Sequence, residues 1–342
     1  MSETSPESPS QLSTPESLYP LPSKPQRRSK PLERFIAKAF VGRGGVRAGW
    51  RLAIFLAIVV TLIAGLSFIA RTVFHVKPPT GPLEPLSLLH NEGVALLIVL
   101  FAGWVMSRIE HRRIADYGLP MRRAFRSQFW LGVLFGFAAI TVLLGSMRLA
   151  GVFRFGTIGL RGFELYEYAV LWSLAFVSVG LFEEFFFRGY ALFTLTTGMT
   201  FWPSAILSSV LFGLIHLGNS GESRIGALEA GGTGLLFCLL LRRTGDLWIP
   251  IGFHAAWNWG QTYFYGVPDS GLAAKGHLFN PTFSGPAWLT GGSVGPEGSL
   301  LSIAVLVVLW SIFALWLREK KYPNPDAIRF PRGACSALGE RQ

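Results

Sequence analysis

Long apolar runs alternate along the chain with short polar joints rich in arginine. Eight of the runs approach the roughly 20 residues that cross about 30 Å of hydrocarbon. They are Leu52–Phe74, Leu89–Ser107, Gln128–Met147, Tyr168–Thr194, Phe201–Leu217, Ile225–Leu241, Leu247–Tyr265 and Leu300–Leu317. This pattern predicts an all-α, polytopic membrane helical bundle of about eight transmembrane helices. The joints predict its orientation. Arg27, Arg28, Lys30, Arg34, Lys38, Arg43, Arg47 and Arg51 lead into the first run, and Arg108, Arg112, Arg113, Arg122, Arg123 and Arg126 follow the second. Arg242 and Arg243 follow the sixth run, and Arg318, Lys320 and Lys321 follow the eighth. Lys and Arg stay on the cytoplasmic side, so all four groups agree if both termini are cytoplasmic. Arg148, Arg154 and Arg161 run against the rule, since they would then lie outside.

Three regions are expected. Residues 1–48 read as a disordered, basic, Ser/Pro-rich cytoplasmic tail without a signal peptide's apolar region. Residues 49–320 form the membrane domain, with 168–265 as its catalytic core, and 321–342 form a second cytoplasmic tail. The segment His111–Pro120 reads as a juxtamembrane turn, and the Gly/Pro/Ser-rich stretch Val267–Gly298 as an extracytoplasmic connection. Gly226, Ala230, Gly231 and Gly234 recur at helical spacing and are expected to allow close helix packing. Trp50, Trp104, Trp130 and Trp248 are expected as interfacial anchors. His75, His90, His111 and His277 read as solvated or interfacial.

Composition agrees with a membrane protein: half of the 342 residues are hydrophobic and 15% are charged. That excludes an ordinary soluble domain. The formal charge of +11 sits at the ends of the runs, so it implies no nucleic-acid partner. Cys238 and Cys335 lie far apart and suggest neither a disulfide nor a thiolate metal site. The expected location is a bacterial plasma membrane, with the lipid bilayer as the first partner.

Against this background Leu181–Tyr190, LFEEFFFRGY, stands out. Each ionised group at the bilayer centre costs about 2.5–3.5 kcal/mol on insertion scales, yet the stretch carries Glu183, Glu184 and Arg188. Glu184 and Arg188 are i, i+4 and can neutralise each other. Glu183 is rotated by about 100° from its neighbour, so it can face a cavity. Two further runs carry histidines: Phe212-Gly-Leu-Ile-His216 and His254-Ala-Ala-Trp-Asn258. A lipid-facing polar group would be unsatisfied, so all three helices are expected to turn these groups into one interior cavity. If the fourth helix continues to about Thr194, Glu183 comes near mid-membrane with His254 and Asn258; the depth of His216 is open. Read singly, each histidine suits a hydrogen-bonded core position and Phe212 suits packing. Read together, they suit hydrolysis of a peptide bond. Glu183 takes a proton from water, His216 holds the water or shares the proton, and His254 and Asn258 donate to the oxyanion. Glu183, His216 and His254 could instead hold a zinc ion, although no single helix supplies both histidines.

The order EExxxR, FxxxH, HxxxN, with Arg188-Gly189-Tyr190 and the Arg-Arg-Thr-Gly turn before the third motif, resembles the CPBP family of intramembrane proteases. That family includes type II CAAX prenyl endopeptidases and Abi-like bacteriocin-processing or self-immunity proteins. The resemblance spans about Tyr168–Tyr265. It implies a membrane endopeptidase in which Glu183 and His216 activate water, His254 and Asn258 bind the oxyanion, and Glu184 and Arg188 support Glu183. It also implies a protein or peptide substrate, prenylated or membrane-anchored in some relatives, and leaves both zinc and no cofactor open. Two other functions fit midplane Glu and His residues: a proton-coupled transporter, and a non-catalytic immunity or scaffold protein. Transporters commonly carry inverted repeats, and no internal repeat is visible.

Overall fold

A computed structural model describes residues 40–42, 45–76 and 81–323. The expected N-terminal tail lies almost wholly outside the described residues, and most of the C-terminal tail and Cys335 lie outside them too. The chain is a multi-pass helical membrane protein. The helices are α1 (Ala48–Thr72), α2 (Pro85–Ile109), α3 (Ser127–Leu149), α4 (Phe163–Glu184), α5 (Leu192–Gly198), α6 (Phe201–His216), α7 (Arg224–Thr244), α8 (Trp248–Trp259) and α9 (Leu300–Trp316). A wide π turn, Phe185–Ala191, joins α4 to α5 without a break, and a second, Gly260–Phe264, extends α8.

Among the described residues, five helical stretches can cross a membrane by length and composition: Ala48–Thr72, Pro85–Ile109, Ser127–Leu149, Phe163–Gly198 and Arg224–Thr244. The helices α6 and α9 are shorter, at 16 and 17 residues, or about 24–26 Å at 1.5 Å per residue. Each helix starts and stops for local reasons. Pro85 opens α2, where a missing N–H costs nothing. Ser223 caps α7, its hydroxyl accepting from the Gly226 N–H at 3.1 Å. Gly245, in the left-handed region, ends α7.

Backbone contact sets the bundle's tightest seam. A side chain on Gly132 or Gly136 of α3 would strike the backbone of Ile249 or Phe253 in α8, and one on Gly252 would strike Phe129. Small residues allow such an approach, and dispersion then replaces the hydrophobic drive that lipid does not supply. Gly213 and Gly231 do the same between α6 and α7.

The arginine-rich end is stitched together. Arg51 is buried rather than a solvated flank, and its Nη1 donates to Glu110 Oε2 at 2.8 Å. Tyr190 Oη donates to Glu110 Oε1 at 2.7 Å, and the Arg112 Nε lies 3.3 Å from Oε2. This ties α1, α2 and the first π turn. Trp248 is buried, not interfacial, and its indole N–H donates to the Pro120 carbonyl at 3.2 Å. At the opposite end the chain between α8 and α9 folds back rather than merely connecting. Its strand β2 (Phe279–Phe283) pairs antiparallel with β1 (Phe153–Ile158), Phe153 opposite Phe283 and Ile158 opposite Phe279. His277 lies here, half-buried, its Nδ1 2.7 Å from the Phe279 carbonyl.

Candidate active site

The first π turn builds the site. A π turn is one residue wider than an α turn and occurs often at functional sites. Here it begins directly after Glu184 and contains Arg188, and both side chains are fully buried. Arg188 Nη1 donates to Glu184 Oε1 at 3.2 Å. The guanidinium lies 4.0 Å from the centre of the Phe212 ring, a cation–π contact that counts more where water is excluded. Its other flank faces Gly234, where an added Cβ would collide with the guanidinium. Gly234 is therefore more than a packing glycine, because it makes the room that Arg188 fills.

Three helices bring the predicted polar groups to one cavity of about 200 Å³, lined by Glu183, His216, His254 and Asn258 among others. His254 of α8 stands between the paired carboxylates. Its Nδ1 is 3.0 Å from Glu184 Oε1, and its Nε2 is 3.7 Å from Glu183 Oε2. Glu184 carries the charge that balances Arg188, so Nδ1 is the donor and Nε2 is turned toward Glu183 and the cavity. The neighbouring carboxylate Glu183 is not enclosed: its side chain is 21% exposed. At the end of α6, His216 Nδ1 lies 2.8 Å from the Phe212 carbonyl. A carbonyl only accepts, so Nδ1 carries the hydrogen and Nε2 is left with a lone pair. Phe212 thus has two contacts of consequence, its ring on Arg188 and its carbonyl on His216.

The cavity contains acids that the motifs do not include. Glu92 of α2 and Glu229 of α7 line it, as do Asp269 and Glu297 from the chain between α8 and α9. Thr233 Oγ1 donates to Glu229 Oε1 at 2.9 Å. Glu297 accepts from the Trp257 indole at 2.9 Å and from the Ser270 N–H at 2.8 Å. Asp269 accepts from Thr262 Oγ1 at 3.1 Å. Burial, reinforced by the nearby Glu297 carboxylate, holds the Asp269 carboxyl well above the usual range. The intramembrane-charge rule that singles out Glu183 applies equally to Glu92 and Glu229. Asp269 and Glu297 carry no such signal, because they sit in a polar stretch that only the fold returns to the cavity.

Among the described residues no three His, Cys, Asp or Glu side chains stand at a spacing that would hold a metal ion. The Nδ1 contacts of His254 with Glu184 and of His216 with a carbonyl leave both Nε2 atoms available to other partners.

The segment that carries these motifs has known counterparts. Residues 165–260 match the family model of type II CAAX prenyl endopeptidases described as Rce1-like. The match covers less than a third of the chain. It runs from α4 into the second π turn and includes Glu183, Glu184, Arg188, Phe212, His216, His254 and Asn258. At the level of family the match supports a CAAX-protease-like intramembrane protease. Glu92, Asp269 and Glu297 lie outside the Rce1-like segment. The chain is also 28% identical over 250 residues to the uncharacterized protein YyaK of Bacillus subtilis, covering 69% of this chain and 78% of that protein. No solved structure matches the chain.

Proposed function

We propose that the chain is an intramembrane endopeptidase that hydrolyses a peptide bond with water activated by Glu183 and His216. The observation that carries this is His254 standing between Glu183 and Glu184, with His216 and Asn258 on the same cavity. The Glu183 carboxylate takes a proton from water, and the His216 Nε2 lone pair orients that water through a hydrogen bond. Hydroxide adds to the scissile carbonyl, and the oxyanion accepts from the Asn258 amide and from the Nε2–H of a His254 imidazolium whose Nδ1–H donates to Glu184. Glu183 then passes its proton to the amide nitrogen. The C–N bond breaks, leaving one new carboxyl and one new amine. The Glu184–Arg188 pair holds the His254 ring in this orientation without touching substrate.

The transporter reading needs a route from the cavity to the arginine-rich end. Phe212, Phe237 and Phe253, all buried, and the Arg188 pair lie in that direction, which favours the hydrolytic reading. The substrate class follows from the site's setting: a polypeptide held at or in the bilayer. A prenylated chain is one form of it.

The test is Glu183→Gln and His216→Ala protein, purified in detergent and assayed on a membrane-anchored peptide. A positioned acid–base group contributes about 10²–10⁴-fold, so each variant should lose activity on that scale while keeping its helical content. Wild-type turnover by both variants would end the proposal.

A further inference from the structure

The cavity has a closed end and an open end. At the closed end are buried Phe212, Phe237 and Phe253, and behind them the Arg188 pair. At the open end are Leu83, Leu88, Asn219, Ser270 and Leu272, all only half-buried. Chain direction places this rim. Leu83 and Leu88 are at the start of α2, Asn219 follows the end of α6, and Ser270 and Leu272 follow the turn that extends α8. The isolated bridge between Leu83 and Ala274, and the Lys275–Glu84 ion pair at 2.6 Å, hold this rim together.

The charged joints lie at the other end of the same helices. Arg108 ends α2, Arg112 to Arg126 lie between α2 and α3, Arg242 and Arg243 end α7, and Lys320 and Lys321 follow α9. They form one face by direct contact. Arg123 pairs with Asp246 at 3.2 Å, and Arg242 Nη1 donates to the Tyr322 carbonyl at 2.7 Å. Among the described residues the rim end holds Arg71, Arg148, Arg154, Arg161, Arg224 and Lys275, fewer and spread over separate elements. Retention of the denser basic face in the cytoplasm fixes which way the cavity faces.

We infer that the cavity opens to the extracytoplasmic side, so that its substrate is an exported or membrane-anchored polypeptide presented on that side. The substrate half of this inference rests on the peptidase reading; the orientation half does not. A soluble cytoplasmic tail is then excluded, because it would have to pass the basic face and the aromatic floor to reach Glu183.

The orientation is read first, in intact cells expressing the full chain with Cys335→Ser; Cys238 is buried. Lys275→Cys reports the rim and Arg122→Cys the basic face; both positions are exposed and outside the cavity. Ser293→Cys is a second rim reporter should Lys275→Cys fail to accumulate. A membrane-impermeant maleimide should label the rim cysteine in intact cells and Arg122→Cys only after lysis. The reverse pattern overturns the inference whatever the activity. The substrate half is read with a fluorogenic peptide bearing one acyl chain, added to sealed vesicles of the wild-type protein. Cleavage in right-side-out vesicles, and in inside-out vesicles only after detergent, supports it; cleavage confined to sealed inside-out vesicles overturns it. An absence of cleavage even after detergent would sink both the peptidase reading and the substrate half, while the labelling would still decide the orientation.

Discussion

Removing the positive partner of the buried pair should cost more than any single contact in the site. Arg188 and Glu184 are both fully buried, and Glu184 Oε1 accepts from Arg188 and from His254. In Arg188→Met the methionine fills most of the space, but Glu184 keeps its charge with only the imidazole beside it. Breaking a buried pair from one side costs about 3–5 kcal/mol, and the desolvated contact with Phe212 accounts for up to about 2 of that. At about 1.4 kcal/mol per factor of ten, the ratio of folded to unfolded protein at a given denaturant level falls by about two to three and a half decades. Glu184→Gln should cost a similar amount, because it strands the guanidinium. The double variant Glu184→Gln/Arg188→Met leaves no uncompensated charge, and replacing a buried pair with neutral groups of similar volume is often close to neutral. It should therefore be more stable than either single variant. The assay is SDS unfolding in mixed micelles followed by tryptophan fluorescence, with the four proteins forming a double-mutant cycle. If Arg188→Met lies within about 1 kcal/mol of wild type, or the double variant loses the sum of the singles, the pair is not the uncompensated-charge element described.

Three further outcomes follow from the same geometry. Gly234→Ala puts a methyl where the Arg188 guanidinium lies and should cost about 1–3 kcal/mol, as overpacking does; Arg188→Met in the same protein should relieve most of it, as read by the same titration. Asp269→Asn should stabilise the protein increasingly as pH rises. The Asp269 carboxyl has a raised folded value, so its contribution is present at low pH and is lost as pH climbs through that value, whereas asparagine loses nothing. Melting curves from pH 4 to 9 should show the two proteins together at the acid end and diverging above it; parallel curves would refute the assignment. Glu92 Oε2 is buried without a hydrogen-bond partner among the described residues. If it receives the leaving amine, Glu92→Gln forfeits a charged hydrogen bond of about 1.5–3 kcal/mol and kcat/KM falls roughly ten- to a hundredfold; an unchanged kcat/KM removes Glu92 from the reaction.

The glycines show how much an unaligned sequence conceals. Gly132, Gly136 and Gly252 look like ordinary membrane glycines until α3 and α8 meet backbone to backbone, and Gly234 looks like another until Arg188 occupies the space beside it. The π turn at Phe185–Ala191 is equally silent, since the stretch reads as continuous helix. The position of Trp248 near a run's end predicts an interfacial anchor, yet the fold buries it, with its indole N–H on the Pro120 carbonyl.

By itself the sequence determined the solvent, the helical class and which polar residues would line a common cavity. Apolar runs of bilayer length admit only backbone that satisfies itself internally, and charges inside such runs are too costly to keep without a partner or a cavity. Only the tertiary structure decided which carboxylate is paired and which is open, that His254 stands between the two, that Glu92, Glu229, Asp269 and Glu297 share the cavity, and at which end it opens. Those are relations between segments far apart in the chain, set by which helix faces touch, and helical periodicity carries no information about a neighbour's face.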